Sequence, residues 1–462
     1  MSDLYGILGM GREALLAQQK GIDVTGHNIA NVNTPGFSRQ RVQLQTREPI
    51  SFQPGQIGTG VRAQEIQRVY DRFLGVQIRN ENQSLGRWES QSGALEKAEM
   101  IFNETTGYGL NQAMSEFWNA WQDLSNNPSG QAERTVLIAK SQTLAEQFRD
   151  LCGDLNQIRK DVDTSIVGTM EEINLLADQI ADLNQKIFQA EVGGQNANDY
   201  RDERELLLNQ LSSLIDITSF ENSEGKVTVL VGNGKPLVEN IYSWDLSTES
   251  NGDDLHDIVW CDRDGNEVAI TDTISGGRVN GWIEVRDVRI PEYLNSLSVL
   301  AQGIMAEVNT VHQGGFALNG TTGIDFFEGV SAADIEVNRN IVNDLTLVAA
   351  ASEPGGLPGD NRNALLISQL QNELTMKGNT ATFDDCYNAL SSKVGSDVRT
   401  TSANLCHQTA ISEHLTNYRE SISGVSLDEE MINLVEYQHA YDAAAKLIVT
   451  VDEMLQTIIS MV

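Results

Sequence analysis

Apolar residues recur at every seventh position at both ends of the chain. Near the N-terminus they are Leu8, Leu15, Ile22 and Ile29, and near the C-terminus they are Leu427, Leu434, Tyr441, Ile448, Leu455 and Val462. This spacing predicts two helices, each with a narrow apolar seam that requires a partner, as in a coiled coil. The simplest partner of each terminal helix is the other one. Such a pair is typical of a subunit that packs into a polymer.

The strongest helical pattern lies in residues 131–187, where apolar residues recur at spacings of three, four or seven. The apolar stripe from Leu137 to Ile187 is some fifty residues long and predicts a rod of roughly 75 Å at 1.5 Å per residue. Gly153 and Gly168 oppose an unbroken helix, because each costs about 1 kcal/mol relative to Ala in a helix interior. Further helices are predicted at 72–103, around Trp118 and Trp121, at 200–214, from Pro291 onward and at 364–374.

Short β patterns interrupt the helices in two places. Residues 42–46 and 61–70 predict two strands on either side of a loop at 49–60. Further along, residues 226–231 are rich in β-branched side chains, and residues 262–265 read Asp-Arg-Asp-Gly, a hairpin turn signal. This second region predicts a small β module inserted into a helical chain.

The predicted fold class is therefore mainly α with a small β insert. It combines paired N- and C-terminal helices, an elongated helical-bundle body and an inserted β-rich outer domain. The predicted domains are a terminal helical inner-core domain at 1–40 and 420–462, a helical-bundle body with short strands at 41–216 and 285–419, and a β-rich insert at 217–284.

The charge and the hydropathy of the chain exclude two classes of partner. The formal net charge is −33, whereas binding to nucleic acid depends on concentrated Lys and Arg. No segment approaches the roughly 20 consecutive apolar residues of a membrane-spanning helix. The N-terminal segment also lacks the basic and continuous apolar regions of a cleaved secretory signal, and by itself this would indicate a cytoplasmic protein.

No group of residues predicts catalysis or ligand binding. The six histidines are dispersed and the four cysteines form no C-x-x-C pair, so neither a zinc site nor a redox site is indicated. Residues 232–235 resemble part of a phosphate-binding loop, but Pro236 stands where Ser or Thr would bind magnesium. No catalytic, cofactor-binding or metal-binding residue is predicted, and the protein is not expected to be an enzyme.

The most specific motif follows the N-terminal helix. Residues 28–37 read Asn-Ile-Ala-Asn-Val-Asn-Thr-Pro-Gly-Phe, and Asn31, Asn33, Pro35 and Gly36 form its turn. This segment resembles the N-terminal signature of bacterial flagellar rod, hook and hook-associated proteins. Four further stretches narrow the resemblance to the hook-associated protein 1 family, the first of the two hook-filament junction proteins. They are Ser-Arg-Gln-Arg-Val at 38–42, 58–74, 276–320, and 423–446 with its Ser-Gly-Val-Ser-Leu-Asp-Glu-Glu-Met start.

The resemblance implies a structural protein that joins the flagellar hook to the filament and is needed for filament assembly. Its implied partners are identical subunits in a ring, the hook protein, the second junction protein and an export chaperone that binds the C-terminal helix. It also implies export through the flagellar type III channel without a cleaved signal, so the expected location is the extracellular flagellum. The terminal segments would form the inner tubular layer, and His27, Asn31 and His312 would make local packing and hydrogen-bonding contacts.

Two alternatives remain open from the sequence. The first is another flagellar axial subunit, a hook or distal rod protein, against which the 38–42 motif and the block from Arg286 to Gly320 argue. The second, from a different class, is a helical enzyme or a cytoplasmic adaptor. That class predicts a stable, fully ordered monomer with ligand-dependent melting.

Overall fold

A computed structural model of the chain describes residues 2–52, 55–103 and 109–461. Val462, at the end of the predicted C-terminal seam, lies outside these residues. The described chain is mostly helical, and the mainly α prediction with a small β insert is confirmed. The α-helices are α1 (Ser2–Ala30), α2 (Arg72–Phe102), α3 (Leu110–Asn126), α4 (Gln131–Val192), α5 (Asn198–Leu214), α6 (Gly277–Glu284), α7 (Ile290–Gly314), α8 (Arg339–Asn343), α9 (Arg362–Gln369), α10 (Phe383–Ser423) and α11 (Leu427–Ser460).

The helix α4 runs unbroken for 62 residues, or about 90 Å. Gly153 and Gly168 lie within it, and neither position has a neighbouring atom within 4 Å of where a Cβ would stand. The regular apolar stripe explains why the two glycines do not break the helix. Leu144, Leu155 and Ile166 are completely buried by the surrounding elements, and this burial outweighs the cost of the glycines.

The body is a helical bundle whose core is continuous with the interior of the β insert. Its centre is an aromatic cluster in which Phe117 contacts Trp118 and Trp121 at ring-centroid distances of 4.7 and 6.5 Å. Phe383 stacks on Trp118 from the first turn of α10. These rings tie α3 and α10 together in the middle of the body.

Within the described residues, the strands form six small antiparallel sheets. The strands are β1 (Gln40–Thr46), β2 (Ile50–Phe52), β3 (Gly55–Ile57), β4 (Val61–Arg68), β5 (Ile217–Glu221), β6 (Val227–Val231), β7 (Lys235–Glu239), β8 (Tyr242–Ser243), β9 (Leu246–Ser250), β10 (His256–Cys261), β11 (Glu267–Ala269), β12 (Phe316–Ala317), β13 (Phe327–Glu328), β14 (Glu336–Val337) and β15 (Ala349–Ala351).

The insert consists of the four-stranded sheet β5-β6-β7-β8 and the three-stranded sheet β11-β10-β9. Two asparagines of α4 bind the sheets directly. The Asn184 amide donates to the Val227 carbonyl at 2.8 Å, and the Asn174 amide donates to the Leu246 carbonyl at 2.8 Å. The insert is therefore fixed to α4 at two levels along the helix.

The structure corrects three local predictions. Residues 277–284, placed in the insert from the sequence, form α6, which packs on α2 through Gly281 and Ser90. Helix therefore resumes at Gly277, and a five-residue π-helix (Val285–Arg289) joins α6 to α7 ahead of Pro291. The predicted loop at 49–60 contains the hairpin strands β2 and β3.

His312 is a neutral, structural histidine in the core, as expected from the sequence. The hydrogen-bond pattern assigns a proton to Nδ1, which donates to the Ile324 carbonyl at 2.7 Å, while Nε2 accepts from the Ala349 amide at 3.0 Å. Burial lowers the pKa of His312 to about 4, because a charged ring would be poorly solvated there. Its Nε2 would also carry a proton and could no longer accept the hydrogen bond from the Ala349 amide.

We predict that His312 makes the fold acid-sensitive between pH 6.5 and pH 4. In this window the unfolded chain binds a proton that the folded chain excludes, so the free energy of unfolding falls as the pH falls, by up to about 3 kcal/mol. Urea unfolding of a His312→Gln variant should show a smaller loss over this window than wild type. His407→Gln, at an exposed position of α10, is the control. Equal pH dependence of wild type and His312→Gln would contradict the prediction.

Candidate functional site: the joint of the terminal helices

The two terminal helices lie antiparallel and make close contact through glycines of α1. A Cβ added to Gly11 would lie 2.8 Å from the Ile448 Cγ1, and one added to Gly21 would lie 2.7 Å from the Tyr437 ring. Asn28 faces Glu430 one step further along the pair. Because the numbers rise in α1 as they fall in α11, these contacts also fix the register of the two helices.

The predicted seam residues are mostly half-buried in the helix pair, and Ile448 among them lies against Gly11. Leu8, Leu15, Ile22, Ile29, Leu434, Ile448 and Leu455 are half-buried, whereas Leu427 and Tyr441 are 48% and 37% exposed. Ala17, Val24 and Val451 are the apolar side chains that the described chain buries in the two helices. The heptad count did not include Gly11, Ala17 and Gly21 of this contact, because Gly and Ala carry little hydrophobic signal.

Helix α11 exposes more apolar surface than α1 covers. Exposed side chains lie on both flanks of the face that contacts α1, and several are more than half exposed. The exposed large apolar residues of α11 are Leu427, Met431, Ile432, Val435, Tyr441, Leu447, Val449, Met454, Ile458 and Ile459.

The signature turn leads from α1 into β1. The Asn31 amide donates to the His27 carbonyl at 3.0 Å and so caps the end of α1, and the Thr34 hydroxyl donates to Asn31 Oδ1 at 3.1 Å. Gly36 adopts φ +81°, where a side chain would be strained and would also approach the Leu206 Cβ to 3.2 Å. Asn33 and Pro35 are exposed and face away from these contacts.

A single buried asparagine joins the turn to both terminal helices. Asn28 Oδ1 accepts from the Gln40 backbone amide at 2.9 Å, and its Nδ2 donates to the Gln40 carbonyl at 2.9 Å and to Glu430 Oε2 at 3.1 Å. Asn28 and Glu430 are 1% and 2% exposed. The start of β1 and the first turn of α11 are thereby held to the same side chain of α1.

The N-terminal half of α5 holds the other side of the turn. Asp202 accepts from the Ser38 backbone amide and from Arg68 Nη1, both at 2.8 Å. The Gln40 side chain donates to Asp199 at 2.7 Å. Burial raises the pKa of Asp202, and the adjacent Arg68 guanidinium offsets part of that rise.

The connection between α10 and α11 completes the joint. The Arg39 backbone amide donates to the Ser423 carbonyl at 2.8 Å, and the Arg39 guanidinium pairs with Glu429. Arg419, near the end of α10, donates to the Gly36 carbonyl at 3.0 Å. The turn therefore contacts α1, α5, α10 and α11.

The polar groups of this joint hydrogen-bond the turn to the surrounding helices, so the joint connects the terminal pair to the body. Sequence reasoning found the turn but missed Asn28, Gln40, Asp202 and Glu430 as the residues that attach it. The described residues contain no group of three or more His, Cys, Asp and Glu placed to bind a metal ion. Within the same part of the chain, no helix has both the length and the hydrophobicity needed to cross a bilayer.

Comparison with known proteins shows which family the chain belongs to. A profile described as the flagellar hook-associated protein FlgK helical domain matches residues 95–327. Flagellar hook-associated protein 1 of Bacillus subtilis is 30% identical over 502 residues, covering 100% of this chain and 99% of that protein. This chain belongs to the flagellar hook-associated protein 1 (FlgK) family. The proteins of that name from Escherichia coli and Salmonella typhimurium are both 24% identical, and each comparison covers 99% of this chain and 100% of the relative.

Two further profiles match the two ends of this FlgK-family chain. One, for flagella basal body rod proteins, matches residues 8–37, and the other, for the C-terminal part of flagellar basal body rod FlgEFG proteins, matches residues 419–461. These ranges contain most of α1, the whole signature segment at 28–37 and α11. The terminal pair is thus the part shared with rod proteins, and the helical-domain match distinguishes the FlgK family from the hook and rod alternative.

The fold of the FlgK-family body also has a solved counterpart. The structure of the flagellar hook junction protein FlgK from Burkholderia pseudomallei is similar, with a TM-score of 0.68 at 15% identity. The similarity covers 75% of this chain and 100% of that chain. It supports the fold of the helical body with its inserted strands.

We predict that Asn28→Ala loosens the terminal pair. The change leaves the Gln40 amide and the Glu430 carboxylate without their partner, at a cost of about 1–3 kcal/mol. In native-state hydrogen exchange, the amides of α1 and α11 should exchange faster than in wild type, by the factor that this loss of free energy predicts. Asn33→Ala, in the same turn but exposed, should leave the rates unchanged. Equal protection in Asn28→Ala and wild type would show that Asn28 does not hold the joint.

Proposed function

We propose that this protein is a structural junction subunit that joins the flagellar hook to the filament and is needed for filament assembly. Its membership of the FlgK family supports this function, since relatives across the whole length carry the hook-associated name. The family is one of structural flagellar proteins, and the joint described above serves attachment. In this role the protein holds its terminal helix pair at a fixed position relative to the body.

The observation that carries the proposal is the uncovered apolar surface of α11. One partner helix covers a stripe of a helix, so a helix with apolar residues on both flanks of that stripe requires additional neighbours. Identical copies side by side would supply them, as in the wall of a tube. We propose that the half-buried residues Leu8, Leu15, Ile22 and Ile29, with Leu427, Leu434, Tyr441, Ile448 and Leu455, form the assembly seam within that wall.

The remaining partners and the location follow from the same proposal. The protein would form a ring of identical subunits on the hook protein and receive the second hook-filament junction protein on the other side. The domain division would place 1–40 and 420–462 in the inner layer, the body at 41–216 and 285–419 around it, and the insert outermost. Export through the flagellar type III channel, without a cleaved signal, would deliver it to the extracellular flagellum.

We expect Ile448→Asp to abolish filament assembly. The change removes an apolar contact with Gly11, worth about 1.5–3 kcal/mol, and places a carboxylate in it. The test expresses wild type and variant in a strain that lacks the gene, with electron microscopy of hooks and assay of filament protein in the medium. Hooks without filaments, with filament protein lost to the medium, are expected for the variant.

The matched control is Asp253→Ala in the insert. Asp253 is exposed, so the change should alter stability by no more than roughly 0.5 kcal/mol and leave motility intact. The neighbouring Asp254 is unsuitable because its φ is +57°, where Ala is strained. Normal filaments on Ile448→Asp cells would contradict the assembly role of the terminal pair, and a wild-type gene that fails to restore filaments would contradict the proposed function.

We also propose that an export chaperone binds α11 before export. The exposed apolar residues of this helix would otherwise promote premature assembly in the cytoplasm. A peptide of residues 425–462 should bind the chaperone by itself in calorimetry, whereas a chain ending at Gly424 should not. Equal binding by that shortened chain would place the chaperone site elsewhere.

A further inference from the structure

The hairpin of β2 and β3 extends from the β1–β4 ribbon without cover from the described chain. Ile50 pairs with Ile57 across the hairpin, and their exposed fractions are 62% and 51%. Ser51 and Gln56, the next pair, are also exposed. A two-stranded hairpin is at best marginally stable in water without a surface to pack on. We call this hairpin, which forms the outer end of the ribbon, the tip. The exposed apolar pair Ile50 and Ile57, next to the ribbon, indicates a contact made outside the subunit.

The tip is chemically unusual for this chain. Residues 49–61 carry no charged side chain, although the chain as a whole has a net charge of −33. No partner can bind these residues through ion pairs with their side chains. The complementary surface should therefore also be apolar and uncharged.

Helix α11 offers such a surface on one of its exposed flanks. Leu447, Met454 and Ile458 are spaced by seven and four, lie on one face, and are 43%, 51% and 40% exposed. Residues 454–461 contain no charged side chain, and the adjacent face of α11, with Val451, is the one that packs on α1. The flank thus continues the existing helix-pair interface. We call Leu447, Met454 and Ile458 the outer flank.

The tip and the outer flank lie at the same level along the helix pair. The ribbon contacts α1 where it passes into the hairpin, since Arg47 pairs with Glu13 at 3.4 Å and a Cβ on Gly60 would lie 3.4 Å from the Met10 Cα. Gly11, the next residue of α1, faces Ile448 of α11. Copies related by rotation about an axis along the pair keep the same level, so a neighbour presents its outer flank at the height of the tip.

We propose that the β2–β3 tip of one copy docks on the outer flank of α11 in the neighbouring copy, with Ile50 and Ile57 against Leu447, Met454 and Ile458. The inference rests on the proposed function, because it requires copies arranged side by side. It gives the ring two different complementary surfaces, which is the head-to-tail contact that closes a ring of identical subunits.

The experiment compares Ile57→Asp with Gln56→Asp in the full chain, expressed in the strain that lacks the gene. Adjacent residues of a strand point to opposite faces, so Gln56→Asp adds the same charge on the other face of the hairpin. Both positions are exposed in the subunit, and circular dichroism melting of the two purified variants should match wild type. We expect about tenfold fewer filamented cells with Ile57→Asp, the effect of losing one buried Ile from a contact, and normal numbers with Gln56→Asp.

The outcomes separate this inference from the proposed function. If wild type restores filaments and Ile57→Asp does so equally well, the docking is wrong while the junction function stands. If wild type itself does not restore filaments, the junction function is wrong as well.

A direct test joins the two surfaces covalently. In purified flagella, Ile57→Cys combined with Met454→Cys should give oxidant-dependent multimers of the chain, because a disulfide requires Cα atoms within about 7 Å. Each single variant is a control, since the chain has four cysteines of its own. Multimers that appear equally in a single variant, or none in the double variant, would overturn the contact.

Discussion

The terminal helices can be attached to the body only if the buried polar groups at the turn between α1 and β1 find partners, and the Asn28 side chain meets this constraint. Its amide pairs with both backbone groups of Gln40 and still reaches Glu430. A buried backbone group without a partner would cost more than the bond contributes. Asn28 thus joins α11 to the start of β1, beside the Arg39 contacts with Ser423 and Glu429, and an apolar side chain of similar size could not replace it.

The joint and the long helix α4 together connect the terminal pair to the insert. Asp202 on α5 holds the turn, and α5 packs along α4, which carries the insert through Asn174 and Asn184. The terminal pair and the insert are therefore linked by a continuous series of hydrogen-bonded and packed elements.

The parts of the fold predicted from the sequence are those with local signals. The terminal helices, α4 and the β10–β11 hairpin each follow from apolar spacing or turn residues. Helix α10 was missed because its buried line passes through Tyr387, Val394, Thr401, Gln408 and Leu415, so two polar residues interrupt the apolar repeat. Gln408 is accommodated by donating to the Glu81 carbonyl, a partner that lies 327 residues away. The joint was predictable only in part, because contacts between residues far apart in the chain leave no local pattern. Asp202, which binds Ser38, is 164 residues away from it.

The pairing of α1 with α11 also determines where the molecule can carry an added label. Within the described residues α1 begins at Ser2 and α11 ends at Ser460, and Gly11 and Gly21 leave no space for extra atoms between the two helices. A fluorescent or affinity tag joined to either helix would therefore be close to a tightly packed contact. The turn between β10 and β11 has the opposite character: Asp262 closes it with its own side chain, Gly265 supplies the φ of +82°, and its neighbours are exposed. Residues 263–264 are therefore the natural position for a label that must leave the inner layer undisturbed.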